Sequence, residues 1–538
     1  MPSPNIRLEY LYGDRLVPCY AARPRNLDDM FRSSVAARRD APAVEDERQK
    51  LSYGVLHTQA NRLANALHAQ GVRSGDRVVL FLSNGVEFVV ALVAVWRLGA
   101  IAVPVGVRQS AGELEYIVNQ CSASAIFFDD ELGPRVKTIH PRAPLKCQVY
   151  VEAAGADPNV GSAVEFWKFV GGGAEDDVLA SFDDQTAACL MYTSGTTGKP
   201  KGAVLTHLGF FHTAYNYQQT FGYRADDRML LVIPGTHISG LLAVVVVMLL
   251  VGGCTVCRRN FKSGPTLETI SKEGVTAAVM VPAMYNLIVR DPTVKSLDLK
   301  RWRIGHFGGA AMPEVTIAQL ADLIPSLELF NGFGATETTS AVTLTPRGEA
   351  AKYPKSVGKI LPCVDIRIIN SGGDELQAGE AGELWIRSPG NAREYWDNAE
   401  ATRASFVAGY WRSGDIGVVE SDGNVYVFDR IKDMIVRGGY KIYCVELENE
   451  LLAFPGVIEA AVVASPCPVL GERIHAFLHA TEAIDSKAVQ AFCGEQLADY
   501  KTPDFVTVSP TPLPRNLNGK LVKASLREQA KAMAAVSQ

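Results

Sequence analysis

The run Thr193-Ser194-Gly195-Thr196-Thr197-Gly198-Lys199-Pro200-Lys201-Gly202 holds three glycines, four hydroxyls and two lysines in ten residues. Glycines let a backbone approach a ligand closely and reach positive φ. Hydroxyls and exposed backbone N–H groups bind anionic oxygens, and lysines neutralise them. The chemistry of such a run is phosphate gripping. A Walker A loop needs a glycine five residues before its Gly-Lys pair and a hydroxyl after the lysine. Here Thr193 stands five residues before Gly198, and Pro200 follows Lys199. The chain is therefore not a P-loop NTPase.

Four later segments carry further chemistry. Phe307-Gly308-Gly309-Ala310-Ala311 offers small residues that leave room for a flat ring against the backbone. In Asn331-Gly332-Phe333-Gly334-Ala335-Thr336-Glu337, Phe333 can stack on a base, Thr336 can touch a phosphate and Glu337 can hold Mg²⁺. Asp415 and the corner Asp429-Arg430-Ile431-Lys432-Asp433 place charges beside a sugar or in solvent, and residues alone leave both readings open. Lys520, in Pro514-Arg515-Asn516-Leu517-Asn518-Gly519-Lys520, lies near the C-terminus, where a lone lysine is usually inert.

In this order the segments resemble the signature motifs of the adenylate-forming superfamily: acyl-CoA synthetases, adenylation domains and beetle luciferases. The likeness runs from about Leu27 to Lys523. It implies an AMP-forming acid–CoA ligase with ATP, coenzyme A and Mg²⁺. By the resemblance, Thr193, Ser194, Gly195, Thr196, Thr197, Gly198 and Lys199 bind ATP phosphates. Gly309, Ala310, Ala311, Asn331, Gly332, Phe333 and Gly334 bind the nucleotide, and Asp415 and Arg430 its ribose. Lys520, Thr336 and Glu337 are catalytic, with Glu337 on Mg²⁺. Lys432 is the hinge, Gly438-Gly439 the turn that pantetheine passes, and His237, Gly308, Gly309 and Ala335 border the acyl pocket. Two departures stand out. Cys444 replaces a common proline at a helix start, and Thr236 replaces a common aromatic before His237, which leaves acyl specificity open.

Alternating helices and strands must position these residues. Leu56, Ala60, Leu63, Ala64 and Leu67 share one helix face, which ends at Gly71. Val78–Leu82 reads as a strand, Asn84 as a helix cap, and Val86–Leu98 as a helix apolar nearly all round. Strands over Ala100–Val105, Ala125–Phe128 and Ala187–Tyr192 follow, with a loose connection over Glu131–Asp184. Later come strands at Thr276–Val281, Ile304–Phe307 and Leu327–Phe330, and a helix from Pro313 to Ile324. Such alternation implies α/β architecture with parallel sheets. From about residue 355 short strands and turn clusters predict an antiparallel subdomain, with Asp415 at a strand start. The expected division is a large N-terminal domain over 1–431 and a small mobile α+β domain over 432–538.

With 538 residues the chain is long enough for several domains, and a net charge of −5 gives no sign of a basic nucleic-acid surface. The ten cysteines are scattered, and Cys254 and Cys257 form a lone CxxC that reads as buried thiols. No signal-peptide core precedes the first helix, so a cytoplasmic location is expected. Ile238–Cys257 is uncharged, but its glycines and short apolar centre favour a buried helix followed by a strand over a membrane span. The expected partners are small molecules, with a homodimer allowed and no nucleic acid or transmembrane segment. The alternative function is adenylation for a carrier protein. An amino-acid substrate would want an acidic pocket residue, and Ile233–Gly240 has none; few residues follow Lys520, so a fused carrier is not expected.

Overall fold

The computed structural model describes residues 5–152, 160–178, 180–193, 199–310, 312–515 and 521–536. By internal contacts the chain forms two units: Met1–Ile366 with Ile386–Arg412, and Arg367–Trp385 with Ser413–Gln538.

The first unit is built on two large sheets. One has seven strands, in the spatial order Lys201–Thr206, Ala187–Thr193, Ile101–Pro104, Arg77–Phe81, Ala125–Asp129, Cys147–Val151 and Val164–Glu165. All its pairs are parallel except the first, an antiparallel hairpin in which Thr193 faces Lys201. The other sheet has nine strands, and its parallel middle includes Ala277–Val279, Ile304–Gly308 and Glu328–Ala335. The helix Val86–Arg97 is buried along its whole length, which explains its apolar composition all round. Its one cation, Arg97, is fully buried and bonded to Asp28 at 3.0 Å and Asn61 at 2.7 Å. A charge at such a site requires this pairing.

Several sequence expectations change. Asn84 does not cap that helix, whose first residue Val86 donates its N–H to Asp46 instead. Asn84 donates to the carbonyls of Leu231, Ile233 and Arg258 and accepts from Gly235 N. The stretch 131–184 is not a loose connection: it carries the helices Gly133–Thr138 and Phe166–Gly171 and the strands Cys147–Val151 and Val164–Glu165. The helix His207–Phe221 escaped sequence reading because it is buried on most sides and shows no apolar stripe. The uncharged run at 238 forms a helical turn, a π-helical turn over Leu241–Val246 and the helix Val247–Val251, then the strand Cys254–Cys257. Among the described residues no helix is long and apolar enough to cross a membrane.

The second unit centres on the hairpin Glu459–Cys467 and Gly471–His479, with Phe505–Ser509 added in parallel. The small hairpin Ile435–Arg437 and Tyr440–Ile442 joins the same sheet. Helices Cys444–Ala453, Ser486–Gln496 and Lys523–Val536 accompany it. The Cys444 N–H donates to the Asp429 carboxylate at 2.6 Å, so a side chain from outside the helix tethers its first turn. Proline could not make this bond. Asp429 is buried, not part of a solvated corner.

Candidate active site

The glycine- and threonine-rich run is the connection of the antiparallel hairpin Ala187–Thr193 and Lys201–Thr206. Ser194, Gly195, Thr196, Thr197 and Gly198 lie outside the described residues. The ends of the run are held. The Lys199 ammonium lies 5.7 Å from the Tyr116 ring centre, and the Tyr116 hydroxyl donates to Pro200 O at 3.1 Å. The Lys201 ammonium lies 5.3 Å from the Tyr395 ring centre.

At the near end the Thr193 hydroxyl donates to Glu337 Oε1 at 3.2 Å, and the Tyr395 hydroxyl donates to the same oxygen at 2.9 Å. Glu337 occupies a 3₁₀ turn, Thr336–Thr338, and its carbonyl accepts from Ala392 N at 2.7 Å. The Thr338 hydroxyl accepts from Ala335 N at 3.0 Å and donates to Ser340 O at 2.7 Å. Thr339 and Ser340 then adopt positive φ, 49° and 86°. Each costs on the order of 1–3 kcal/mol and persists only where the surroundings enforce it. Here the Thr339 hydroxyl is fixed on Gly390 O at 2.6 Å, and Ser340 Oγ meets the Tyr217 hydroxyl at 3.1 Å.

Beside this turn run the parallel strands Ile304–Gly308 and Glu328–Ala335, which put Gly308 opposite Gly332. The motif at 331 therefore lies within a strand, not after one. A Cβ on Gly308 would stand 2.6 Å from Gly332 O, and one on Gly334 would stand 1.9 Å from Ser340 O. No side chain fits at either place. Gly309 and Ala310 are exposed just past the strand end, and Ala311 is outside the described residues. Asn331 is buried with its amide donating to Ser356 O at 2.9 Å, which fixes the strand. Phe333, Ala335 and Thr336 are half-buried along the same edge.

His237 precedes the helical turn Ile238–Gly240, where its N–H donates to Pro234 O at 3.1 Å and its carbonyl accepts from Leu241 N at 2.8 Å. The bonds from Asn84 hold this loop. Behind the glycine strands, His306 is enclosed by Tyr217 and Phe221, and burial pushes its pKa down to about 3.

In the second unit, Asp415 and Arg430 face each other across the strands Tyr410–Val419 and Val425–Arg430, with Arg430 Nε 3.0 Å from Asp415 Oδ1. Asp415 is in mid-strand, not at its start, because the strand begins at Tyr410. Lys432 is exposed in the turn that follows, where Asp433 N and Met434 N both donate to Arg430 O. Gly438 and Gly439, at φ 57° and 90°, make the turn of the small hairpin, and Gly438 N donates to Leu470 O at 2.8 Å. Lys520 lies outside the described residues.

Among the described residues no group of three or more His, Cys, Asp and Glu side chains could hold a metal ion. Cys254 and Cys257 are buried in one strand, and burial pushes the Cys254 thiol up to about 12. Glu337 supplies one hard carboxylate. That suits Mg²⁺, which takes one or two protein carboxylates and completes its shell with phosphates and water. Sequence reading missed Tyr395 and took Asn84 for a helix cap. Their partners are distant in the chain, and neither residue belongs to a run of chemical groups.

A family model described as AMP-binding enzyme matches residues 31–396, and one described as AMP-binding enzyme C-terminal domain matches residues 446–520. The long-chain-fatty-acid–CoA ligase FadD13 of Mycobacterium tuberculosis is 32% identical over 504 residues, covering 93% of this chain and 97% of the relative. The fatty acid–[acyl-carrier-protein] ligase ScoC of Streptomyces coeruleorubidus is 33% identical over 503 residues, covering 91% and 93%. The crystal structure of the anthranilate CoA ligase AuaEII in complex with anthranoyl-AMP superposes with a TM-score of 0.88 at 26% identity, covering 96% of this chain and 99% of that one.

Proposed function

The chain belongs to the AMP-binding enzyme family and is an AMP-forming acid–CoA ligase, and we propose that it activates a fatty or aromatic carboxylate over the hairpin that ends at Thr193. The observation that carries this reading is Glu337, whose carboxylate is held by Thr193 and Tyr395 at the mouth of the glycine- and threonine-rich connection.

In the first step an acid oxygen attacks the α-phosphorus of ATP, the bond to the β-phosphate bridging oxygen breaks, and pyrophosphate leaves. Such a step is mostly positioning and charge stabilisation. The N–H groups and hydroxyls from Thr193 to Lys199 grip the phosphates, and Lys520 meets the charge shared by carboxylate and α-phosphate. Glu337 would hold Mg²⁺, which would neutralise phosphate charge. Gly309, Ala310, Ala311 and Phe333 bind the adenine, and Thr336 touches the α-phosphate. Asp415 accepts from the ribose hydroxyls, with Arg430 paired to that carboxylate at 3.0 Å. In the second step the coenzyme A sulfur attacks the acyl carbon, its proton is lost, and AMP departs. The turn Gly438-Gly439 lets pantetheine pass, and the segment from 432 onward turns about Lys432 between the steps.

A fatty or aromatic acid is supported by two features. The residues from Ile233 to Val246 include no Asp, Glu, Lys or Arg. FadD13 and AuaEII, with fatty and aromatic acids in their names, match nearly the whole chain. ScoC favours a second reading, transfer to a carrier protein, and covers 91% of this chain. The ten free cysteines suit a reducing cytoplasm. The test is a panel of acids assayed for AMP release and thioester formation, with coenzyme A and a phosphopantetheinylated carrier protein as rival acceptors. Acid-dependent AMP release without any thioester on coenzyme A would reject the acceptor.

A further inference from the structure

The segment around Tyr395 lies along the outer edge of the strand Lys201–Thr206. Val204 N donates to Glu394 O and Arg393 N to Val204 O, both at 2.9 Å, and Trp396 N donates to Gly202 O at 2.7 Å. Tyr395 faces Ala203 in this ladder. Its side chain is 6% exposed, packed on Phe406 with ring centres 5.8 Å apart, and has the Lys201 ammonium over one face. The ring is thus held from three sides. Its hydroxyl donates to Glu337 Oε1 at 2.9 Å, beside the Thr193 hydroxyl on the same oxygen at 3.2 Å. A phenol is an O–H donor at neutral pH, and the geometry aims this one at the carboxylate. Among the described residues nothing donates to Glu337 Oε2.

We propose that Tyr395 is a positioning residue: its hydroxyl, with that of Thr193, fixes Oε1 of Glu337 and so presents Oε2 to the magnesium ion that arrives with ATP. This rests on the reading of Glu337 as the magnesium-binding carboxylate. A hydrogen bond from a neutral donor to an ionised carboxylate is a strong one. Outer partners of a metal-binding side chain fix its orientation, and losing one typically costs about 10–100-fold in metal affinity. Thr193 starts the phosphate-binding connection, so one carboxylate oxygen ties the metal position to that connection and to the edge segment at 392–396.

The test is calorimetric titration of the purified full chain with ATP at a series of free Mg²⁺ concentrations, without acid or coenzyme A, so no turnover occurs. Tyr395→Phe removes one oxygen and keeps the packed ring. The Mg²⁺ concentration that half-maximally tightens ATP binding should rise about 10-fold or more. ATP affinity in excess chelator should stay at the wild-type value, and Tyr395→Phe combined with Glu337→Gln should bind no worse than Glu337→Gln alone. An unchanged Mg²⁺ dependence in Tyr395→Phe, or an equal loss with and without Mg²⁺, would overturn the proposal. Glu337→Gln separates the two readings. If it leaves the Mg²⁺ dependence intact, the role of Glu337 falls and the proposal with it. If it shifts that dependence while Tyr395→Phe does not, only the positioning role falls.

Discussion

Gly308 and Gly332 face each other across adjacent parallel strands so closely that a Cβ on Gly308 would stand 2.6 Å from the Gly332 carbonyl oxygen. The neighbour is backbone on the same sheet, so nothing can swing aside. Gly308→Ala should therefore destabilise the first unit by about 1–3 kcal/mol, the usual cost of overpacking. It should also spoil nucleotide binding, because the strand end carries Gly309 and Ala310. Urea unfolding and ATP titration check this. Wild-type stability would mean that the two strands separate more easily than their register implies.

The buried histidines predict an acid-sensitive fold. Burial lowers His207 and His306 to about 3 and His212 and His475 to about 4, from an ordinary 6.5. A base with a depressed folded pKa binds fewer protons in the native state than in the unfolded one. Its contribution is complete above pH 6.5 and is lost as pH falls through the range down to those values. The unfolding midpoint should drop steadily from pH 7 to pH 5. His306→Leu should make that drop shallower, since Nδ1 of His306 has no partner among the described residues to lose. A midpoint flat across that range would contradict the account.

Asn84 and His237 give a third prediction. Asn84→Ala removes the donor to Leu231 and Ile233 and the acceptor for Gly235, the residues that lead into the His237 loop. Leu231 O keeps the Arg258 N–H, but Ile233 O and Gly235 N each lose a partner, which costs about 1–3 kcal/mol. The variant should lose stability and also broaden the range of acids accepted. His237→Ala should change acid preference alone, with ATP affinity close to wild type. Equal shifts in ATP and acid KM for His237→Ala would place it outside the acyl pocket.

Cys444→Pro deletes the N–H that binds Asp429 and leaves this buried carboxylate one donor short. Proline is otherwise well suited to a first helical position. The net loss of stability should be about 1–2 kcal/mol. Asp429 and Cys444 lie on opposite sides of Lys432 in the chain, so the bond must break if the segment turns there. The variant should therefore change the ratio of the two half-reactions. An unchanged ratio, with the stability loss present, would argue that the Asp429 tether does not restrain the turn.

The run at 193–202 stands out in the sequence because glycines, hydroxyls and lysines crowd into ten consecutive residues. Parallel sheets were legible because burial on both faces leaves continuous apolar strands. The misreadings share a cause. Asn84 reads as a cap because asparagine before an apolar helix usually is one, yet its partners lie well over a hundred residues away. Tyr395 is recognisable only once the segment at 392–396 is laid on the hairpin edge. The helix His207–Phe221 shows no stripe because it has almost no wet face. Long-range placement, not local propensity, decided each case.

On this reading the chain makes an acyl-adenylate and hands the acyl group on. Pyrophosphate exchange into ATP, measured with and without a fatty or aromatic acid, tests it most directly in wild type and Lys520→Ala. Wild type should exchange only when the acid is present. Lys520→Ala should lose about 10²–10³ of that rate, as expected when one aimed charge is removed, yet still form thioester from supplied acyl-AMP and coenzyme A. No acid-dependent exchange in wild type across the panel, or an equal fall of both half-reactions in Lys520→Ala, would contradict the account.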